Sequence, residues 1–271
     1  MSPRVEPPLA DIIVPGMIDS HFHSEMMRTK GLDPKKILLE CRAAGLAAGI
    51  DIGVHAGDTA DRAWVAGEFP EIKLAAGLAP SEAENEVPEA RVELLERDLQ
   101  SFRVEVLGEI GVDGYWNYGT PERQKELFAL QIELANRYKL PVIIHSRSGD
   151  EQLLEVLEEH RPLWGGIMHC FSSGYETAKR CVDFGLLISF AGNIGYKNSD
   201  NLRAAAVQLP GETLLVETDS PFLSPEPFRG KPNHPGKVAY VYRMLAELRG
   251  VEVEVVVETI GSNFKRLFPK V

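Results

Sequence analysis

Residues that can bind metal ions recur along this sequence, each just after a short apolar segment. The first are His21 and His23, which follow the apolar residues at 16–18. Because side chains alternate along a strand, these two imidazoles point the same way and can hold one ion. Two histidines at this spacing also occur on protein surfaces, so the metal site depends on what the rest of the chain supplies.

The remaining candidate ligands repeat this placement. Glu109, His145, His169 and Asp219 each follow a short aliphatic run. Nitrogen and oxygen donors without thiolate suit zinc, manganese, magnesium, iron or cobalt. A carboxylate such as Glu109 can bridge two ions, so we predict a two-metal site that activates water for attack on phosphorus. Asp219 can bind one of these ions and also accept the proton of that water.

Short strands separated by amphipathic segments position these residues. Helical spacing is clearest over 121–138, behind Thr120 as N-cap and Pro121 as first helical residue. Alternating strands and helices indicate a parallel sheet, and eight repeats predict an α/β protein with a (β/α)8 TIM barrel. An open, doubly wound sheet is the competing fold, but chemistry at the ends of many strands favours the barrel. The candidate strands are 16–19, 50–54, 73–77, 105–109, 142–145, 166–169, 186–190 and 214–218.

The domain organisation follows from the absence of any linker-like composition. We expect one hydrolase barrel over 1–271, with an extended lead-in at 1–15 and a C-terminal helix at 250–271. The Pro-rich segment 220–235 directly follows the last strand, and it is interpreted as a functional loop.

Composition limits the classes of partner. The chain has 29 basic and 40 acidic residues among 271, a net charge of -11, which argues against a protein that coats long stretches of nucleic acid. No apolar run is long enough for a membrane span, so no membrane partner is expected. Three cysteines without a CxxC pair favour a cytoplasmic location.

Five segments together resemble the TatD family of metal-dependent deoxyribonucleases, in the amidohydrolase superfamily. They are DSHFH (19–23), GEIGVD (108–113), PVIIHSR (141–147), MHCFSSG (168–174) and ETDSP (217–221). The resemblance spans almost the whole chain. It implies a (β/α)8 barrel, two divalent metal ions and phosphodiester hydrolysis, typically as a 3′-to-5′ exonuclease on DNA ends. Separately, we expect the ions to be zinc, magnesium or manganese and the protein to be a monomer or small homo-oligomer.

The resemblance also implies a role for each candidate ligand. Glu109 and Asp219 are the expected catalytic residues, the first as bridging ligand and the second as ligand and base. The implied metal ligands are His21 and His23 for one ion, Glu109 for both, His145 and His169 for the second, and Asp219.

Four further residues are candidates for binding substrate. Arg147 lies two residues beyond His145 and can bind a phosphate with two parallel hydrogen bonds, although a salt bridge in the loop is the alternative. Arg229 and Lys231 are cations in the Pro-rich loop, and Asn233 matches the family's motif there.

The chain departs from the family pattern after His23, where Ser24 and Glu25 stand in place of Leu-Asp, and at two further positions. Members commonly carry a histidine where this chain has Ala79, and a carboxylate where it has His234. These departures keep a second function open, hydrolysis of a small ester, lactone or amide with the same metal centre. A non-catalytic metal-binding protein is a third, weaker interpretation.

Overall fold

The structure is a computed structural model, and it describes residues 6–84 and 88–269. Within that part, the strands are β1 Ile18–Phe22, β2 Ala48–Asp51, β3 Ile72–Ala76, β4 Val106–Asp113, β5 Val142–Arg147, β6 Gly166–Met168, β7 Leu186–Phe190 and β8 Leu214–Val216. The helices are α1 Leu9–Ile12, α2 Ser24–Thr29, α3 Pro34–Ala44, α4 Asp58–Glu68, α5 Pro88–Ser101, α6 Pro121–Tyr138, α7 Asp150–Glu159, α8 Tyr175–Asp183, α9 Asp200–Gln208, α10 Val238–Arg249 and α11 Val253–Leu267. Short 3-10 helices occupy Pro80–Glu84, Gly192–Gly195, Gly211–Thr213 and Pro235–Lys237.

The strands occur in the sheet in the order of the chain, from β1 to β8. Helices alternate with them, and the pairs from β3 to β7 are parallel. This arrangement is the (β/α)8 barrel, so the predicted fold class is confirmed. The strand limits differ from the expected ones. β1 begins at Ile18 and includes His21, while β4 continues past Glu109 to Asp113.

The chain divides into two compact units, and each is described by itself. The first contains residues 6–50 and 189–269. In it the ends of β1 and β8 lie side by side, since the Asp219 N–H donates to the His21 carbonyl at 2.9 Å. The His23 N–H in turn donates to the Ser220 carbonyl at 2.8 Å. The hydroxyl of the buried Tyr242, in α10, accepts a hydrogen bond from the Ile18 N–H at 3.0 Å.

The second unit contains the described residues of 51–188. Its centre is the pair β4 and β5, in which Gly111 lies opposite His145. Gly111 has a φ of +135°, and a Cβ there would lie 2.0 Å from the His145 carbonyl oxygen. Only glycine permits this approach of the two backbones. Helix α6 begins as expected, because the Thr120 hydroxyl accepts the Arg123 N–H at 3.3 Å.

A buried arginine forms hydrogen bonds to the backbone at the carboxyl ends of β2 and β3. Arg62 of α4 is 1% exposed and donates to the carbonyls of Asp51 at 3.1 Å and Ala75 at 2.7 Å. Its guanidinium also lies 2.7 Å from the Asp58 carboxylate. Because a buried cation is stable only with such partners, this network fixes where the loop after β2 begins.

The two chain ends differ in part from expectation. The lead-in expected to be extended contains one helical turn, α1, while residues 1–5 lie outside the described range. The expected C-terminal helix is α11, behind which residues 270–271 are not described. Among the described helices, none has the length and apolar character needed to cross a membrane.

Candidate metal centre

Three predicted ligands meet in the first unit at the ends of β1 and β8. We call His21, His23 and Asp219 the first cluster. The Nε2 atoms of the two histidines are 3.1 Å apart, and Asp219 Oδ1 lies 3.7 Å from the first and 3.5 Å from the second. Alternation along β1 therefore directs both rings to one side, as the sequence predicts.

A buried carboxylate holds the backbone that carries this cluster. Asp19 of β1 accepts the N–H of Thr218 at 2.9 Å, its hydroxyl at 2.6 Å and the N–H of His21 at 3.3 Å. Burial raises the pKa of Asp19 well above its ordinary value, although these hydrogen bonds act in the opposite direction. Asp219 itself has a φ of 54°, a left-handed conformation that aspartate tolerates and that turns the chain at the end of β8.

The other predicted ligands meet in the second unit. We call Glu109, His145 and His169 the second cluster. Glu109 Oε1 lies 3.0 Å from His145 Nδ1 and 3.3 Å from His169 Nε2, and these two nitrogens are 3.3 Å apart. Backbone hydrogen bonds fix two of these residues, because the Glu109 N–H donates to the Gly53 carbonyl and the His169 N–H to the Ile144 carbonyl, both at 3.0 Å.

Asp113, at the end of β4, orients the second cluster and was not recognised as a functional residue from the sequence. Its Oδ2 lies 3.0 Å from His145 Nε2. A carboxylate there accepts the Nε2 proton and leaves the Nδ1 lone pair directed at the cluster. The signal was present in the motif GEIGVD, but only the fold shows which atom of which ligand this carboxylate meets.

Burial and charge act against each other in the second cluster. Burial raises the pKa of Glu109, yet the charges and hydrogen bonds of His169 and His145 outweigh it and hold that pKa well below its ordinary value. Burial likewise lowers the pKa of His145, but its hydrogen bonds to Asp113 and Glu109 prevail and the net pKa is raised. Glu109 is therefore an ionised carboxylate, the form in which it binds a cation.

Both clusters fit a divalent metal ion. Nitrogen and oxygen ligands at about 2.0 to 2.1 Å from a tetrahedral ion stand about 3.3 to 3.4 Å apart, and the six separations in the two clusters range from 3.0 to 3.7 Å. The donors are imidazole and carboxylate alone, which suits zinc and manganese. Each cluster supplies three protein ligands, and this number leaves a coordination position for water or substrate.

The predicted substrate-binding residues lie in different surroundings. Arg147 is exposed, with its Cζ 3.7 Å from the centroid of the Tyr115 ring. Arg229 and Lys231 are exposed in the loop after β8, where Arg229 lies 4.3 Å over the Tyr196 ring. These three cations are accessible to an anionic ligand.

Asn233 instead has its side chain turned into the protein. It is fully buried, and its amide nitrogen donates to the carbonyls of Thr218 at 2.9 Å and Phe222 at 2.7 Å. Its side-chain oxygen accepts the His234 N–H at 3.0 Å. With these hydrogen bonds Asn233 fixes the loop that follows β8. Its contact with substrate stays a prediction.

The structure also shows the surroundings of two residues at which the chain departs from the family motif, His234 and Ala79. His234 Nε2 lies 3.2 Å from Glu6, whose second oxygen lies 2.7 Å from Lys237. The histidine thus binds a carboxylate contributed by another part of the chain. Ala79, after β3, is buried and donates its N–H to the Val54 carbonyl at 3.0 Å.

Known proteins with similar sequences identify the family of this chain. The TatD related DNase family matches the chain over residues 18–269. The chain belongs to the TatD family. It is 38% identical over 261 residues to the uncharacterized metal-dependent hydrolase TatD of Mycobacterium tuberculosis, covering 93% of this chain and 97% of that relative. It is 34% identical over 255 residues to YcfH of Escherichia coli K12, an uncharacterized metal-dependent hydrolase, covering 93% and 95%.

A solved structure agrees with this assignment. The crystal structure of YjjV, a TatD homologue from Escherichia coli K12, superposes with a TM-score of 0.86 at 31% identity, over 96% of this chain and all of that one. As a TatD-family protein the chain is a metal-dependent hydrolase, and its two His/Glu/Asp clusters are the candidate metal-binding residues.

Proposed function

We propose that this hydrolase uses two divalent ions to cleave phosphodiester bonds, and that it acts as a 3′-to-5′ exodeoxyribonuclease on DNA ends. The observation that carries the proposal is the pair of clusters, each with three nitrogen or oxygen donors 3.0 to 3.7 Å apart. One ion is proposed for each cluster, with zinc, magnesium or manganese as candidates. The bridging role of Glu109 between the ions stays a prediction, as does a cytoplasmic location.

The chemistry is divided between the ions and the protein side chains. Bound divalent ions supply charge stabilisation at phosphorus and lower the pKa of water. Asp219 is the proposed base, because its side chain is 13% exposed and lies beside both imidazoles of the first cluster. It accepts the proton of the attacking water, while the hydrogen bond from its own N–H to His21 keeps the carboxylate in place.

The proposed substrate is one strand end rather than a long duplex. A net charge of -11 opposes the binding of extended nucleic acid, whereas single exposed cations favour contacts with individual phosphates. Arg147, Arg229 and Lys231 are exposed and are the proposed phosphate contacts. The affinity for a DNA end should therefore depend on the bound metal ions and be weak without them.

The test is cleavage of single-stranded DNA labelled at either end, by purified protein supplied with Mg²⁺, Mn²⁺ or Zn²⁺. A 3′-to-5′ exonuclease releases a 3′ label at once and shortens a 5′-labelled strand stepwise. We expect His145→Ala and Asp219→Ala to abolish both signals. His160→Ala is the matched control, because His160 lies at the end of α7, pairs with Glu133 at 3.1 Å and belongs to neither cluster.

Metal analysis of the same samples separates loss of ions from loss of chemistry. Two ions per chain in the wild type and a loss of one in His145→Ala would support the assignment of one ion to each cluster. Wild-type protein that retains two ions but cleaves no DNA with any of the three metals would overturn the nuclease proposal.

The competing function is hydrolysis of a small ester, lactone or amide with the same clusters. Its support is Ala79, which offers no polar side chain at the position where the family commonly has a histidine. Turnover of a bis-aryl phosphodiester is therefore compared with turnover of aryl ester and lactone substrates. Faster hydrolysis of the carboxylic ester or lactone would favour the competing function.

A further inference from the structure

An exposed group of aromatic and basic side chains stands at the strand ends beside the second cluster. We call Tyr115, Trp116 and Arg147 the aromatic patch. Tyr115 and Trp116 follow β4 directly and are 57% and 53% exposed, unusually open for such large rings. Arg147 ends β5, and its carbonyl accepts the Gly114 N–H at 2.7 Å.

The patch has a defined geometry. The Arg147 guanidinium lies over one ring, with Cζ 3.7 Å from the Tyr115 centroid and 6.0 Å from that of Trp116. The two rings meet edge to face, 4.9 Å apart at 88°. Within residues 6–84 and 88–269, no carboxylate forms an ion pair with Arg147. Its planar edge of N–H donors is therefore available to an anion.

One carboxylate links the patch to the second cluster. Asp113 Oδ1 accepts the N–H of Tyr115 at 2.8 Å and that of Trp116 at 2.9 Å. Its Oδ2 lies 3.0 Å from the ring of His145, a ligand of the second cluster. The turn that carries both rings is thus held in a fixed position relative to the ligand, as a rigid binding surface requires.

We propose that the aromatic patch binds the nucleotide next to the scissile bond, with its base stacked on Trp116 and its phosphate bound by Arg147. The inference rests on the proposed function in taking a nucleic acid strand as the ligand. Three features favour this occupant over a protein partner: open aromatic faces, a cation that pairs with no acidic side chain of the described residues, and a fixed link to a metal-ligand cluster.

The inference specifies a substrate class. Stacking on an aromatic ring requires an unpaired base but tolerates any base, since every base has a π face. The enzyme should therefore prefer single-stranded ends or frayed ends to blunt duplex, with little sequence preference. Arg147 adds a contact that depends on the phosphate alone.

The experiment measures binding with and without bases. Metal-loaded protein is titrated with a fluorescent single-stranded oligothymidylate whose phosphorothioate linkages resist cleavage, and with an abasic strand of equal length and charge. We expect the wild type to bind the strand with bases about tenfold more tightly. Trp116→Ala should reduce this preference to within about twofold, and Trp116→Phe, which keeps a ring, should retain most of it.

Two further variants complete the design. Arg147→Gln should weaken binding of both strands alike and reduce the slope of log affinity against log salt by about one. Trp164→Ala is the matched control, because Trp164 is 47% exposed with Lys139 5.9 Å from its ring but lies before β6, at the opposite strand ends. It should keep the full base preference.

The outcomes separate the two proposals. Equal binding of both strands by the wild type, or an unchanged preference in Trp116→Ala, overturns the inference about the patch even if DNA is cleaved. The protein could instead prefer the strand with bases in a way that depends on Trp116 but hydrolyse no phosphodiester. That result contradicts the nuclease proposal and supports the binding site.

Discussion

Replacing Asp113 by asparagine should weaken metal binding at the second cluster alone. Asparagine has nearly the same shape, so its side-chain oxygen can still accept the two N–H groups of Tyr115 and Trp116. In place of Oδ2, however, asparagine has an NH2 group. This donor then faces His145 Nε2 at about the 3.0 Å distance at which the carboxylate accepted a hydrogen bond. His145 must then carry its proton on Nδ1, the atom that faces Glu109 at 3.0 Å.

The expected size of the effect follows from that exchange. To bind an ion, the His145 ring must free Nδ1. It can return the proton to Nε2, where two donors would then face each other, or it can turn away from the cluster. Replacing a residue that orients a metal-ligating histidine typically lowers metal affinity about 10- to 100-fold, which corresponds to about 1.4 to 2.8 kcal/mol. The substitution acts through His145, which is not a residue of the first cluster, so the first cluster should keep its affinity for metal ions.

The assay titrates metal-free protein with Zn²⁺ in competition with a chromogenic chelator. The wild type should show two sites, and Asp113→Asn should weaken one of them by the factor given above. Asp98→Asn is the matched control, since Asp98 is also buried and accepts hydrogen bonds from the Gly57 N–H at 2.9 Å and the Thr59 hydroxyl at 3.0 Å. Wild-type affinity at both sites in Asp113→Asn, or equal weakening of both, would refute the reasoning.

Three other substitutions test the frame around the site. Gly111→Ala should destabilise the fold by about 2 kcal/mol or more in urea unfolding, because its Cβ would lie 2.0 Å from the His145 carbonyl oxygen; a stability equal to the wild type would contradict this close approach. Arg62→Met should cost about 3 to 5 kcal/mol in the same measurement by leaving the buried Asp51 carboxylate without its cation, and a neutral result would show that this carboxylate is solvated. The hydrogen bond from His234 lowers the pKa of Glu6 to about 2, below its ordinary 4.5, so Glu6 stabilises the fold above pH 4.5 and loses this effect as pH falls toward 2. Unfolding free energy should therefore fall less steeply over that range in Glu6→Gln, and identical pH profiles would exclude the ion pair.

The ligand positions could be predicted from the sequence because they depend on local rules. Alternation along a strand brought His21 and His23 together, and their Nε2 atoms are 3.1 Å apart. Thr120 followed by Pro121 defined the start of α6, which begins at that residue. Each such signal lies within a few residues of the feature that it predicts.

What escaped prediction depends on contacts between distant segments. The end of β4 was expected at Glu109, but Gly111 allows close approach to β5 and pairing continues to Asp113. Asn233 matched a motif, and its contact with substrate stays a prediction, but its hydrogen bonds to two carbonyls of the preceding loop could not be predicted from that motif. A polar side chain in a motif is compatible with either role, and only its neighbours decide between them.

The two clusters differ in how much of the chain must be made before they can form. All residues of the second cluster lie on β4, β5 and the end of β6, with 24 positions between its two histidines. The first depends on β8 meeting β1, which Asp19 and Thr218 join across 199 positions. During synthesis the second set of ligands is therefore complete well before the first, and closing the longer loop carries the larger entropic cost. An ion held by the first cluster would then fasten the earliest strand of the chain to the last one, stabilising the final step of folding.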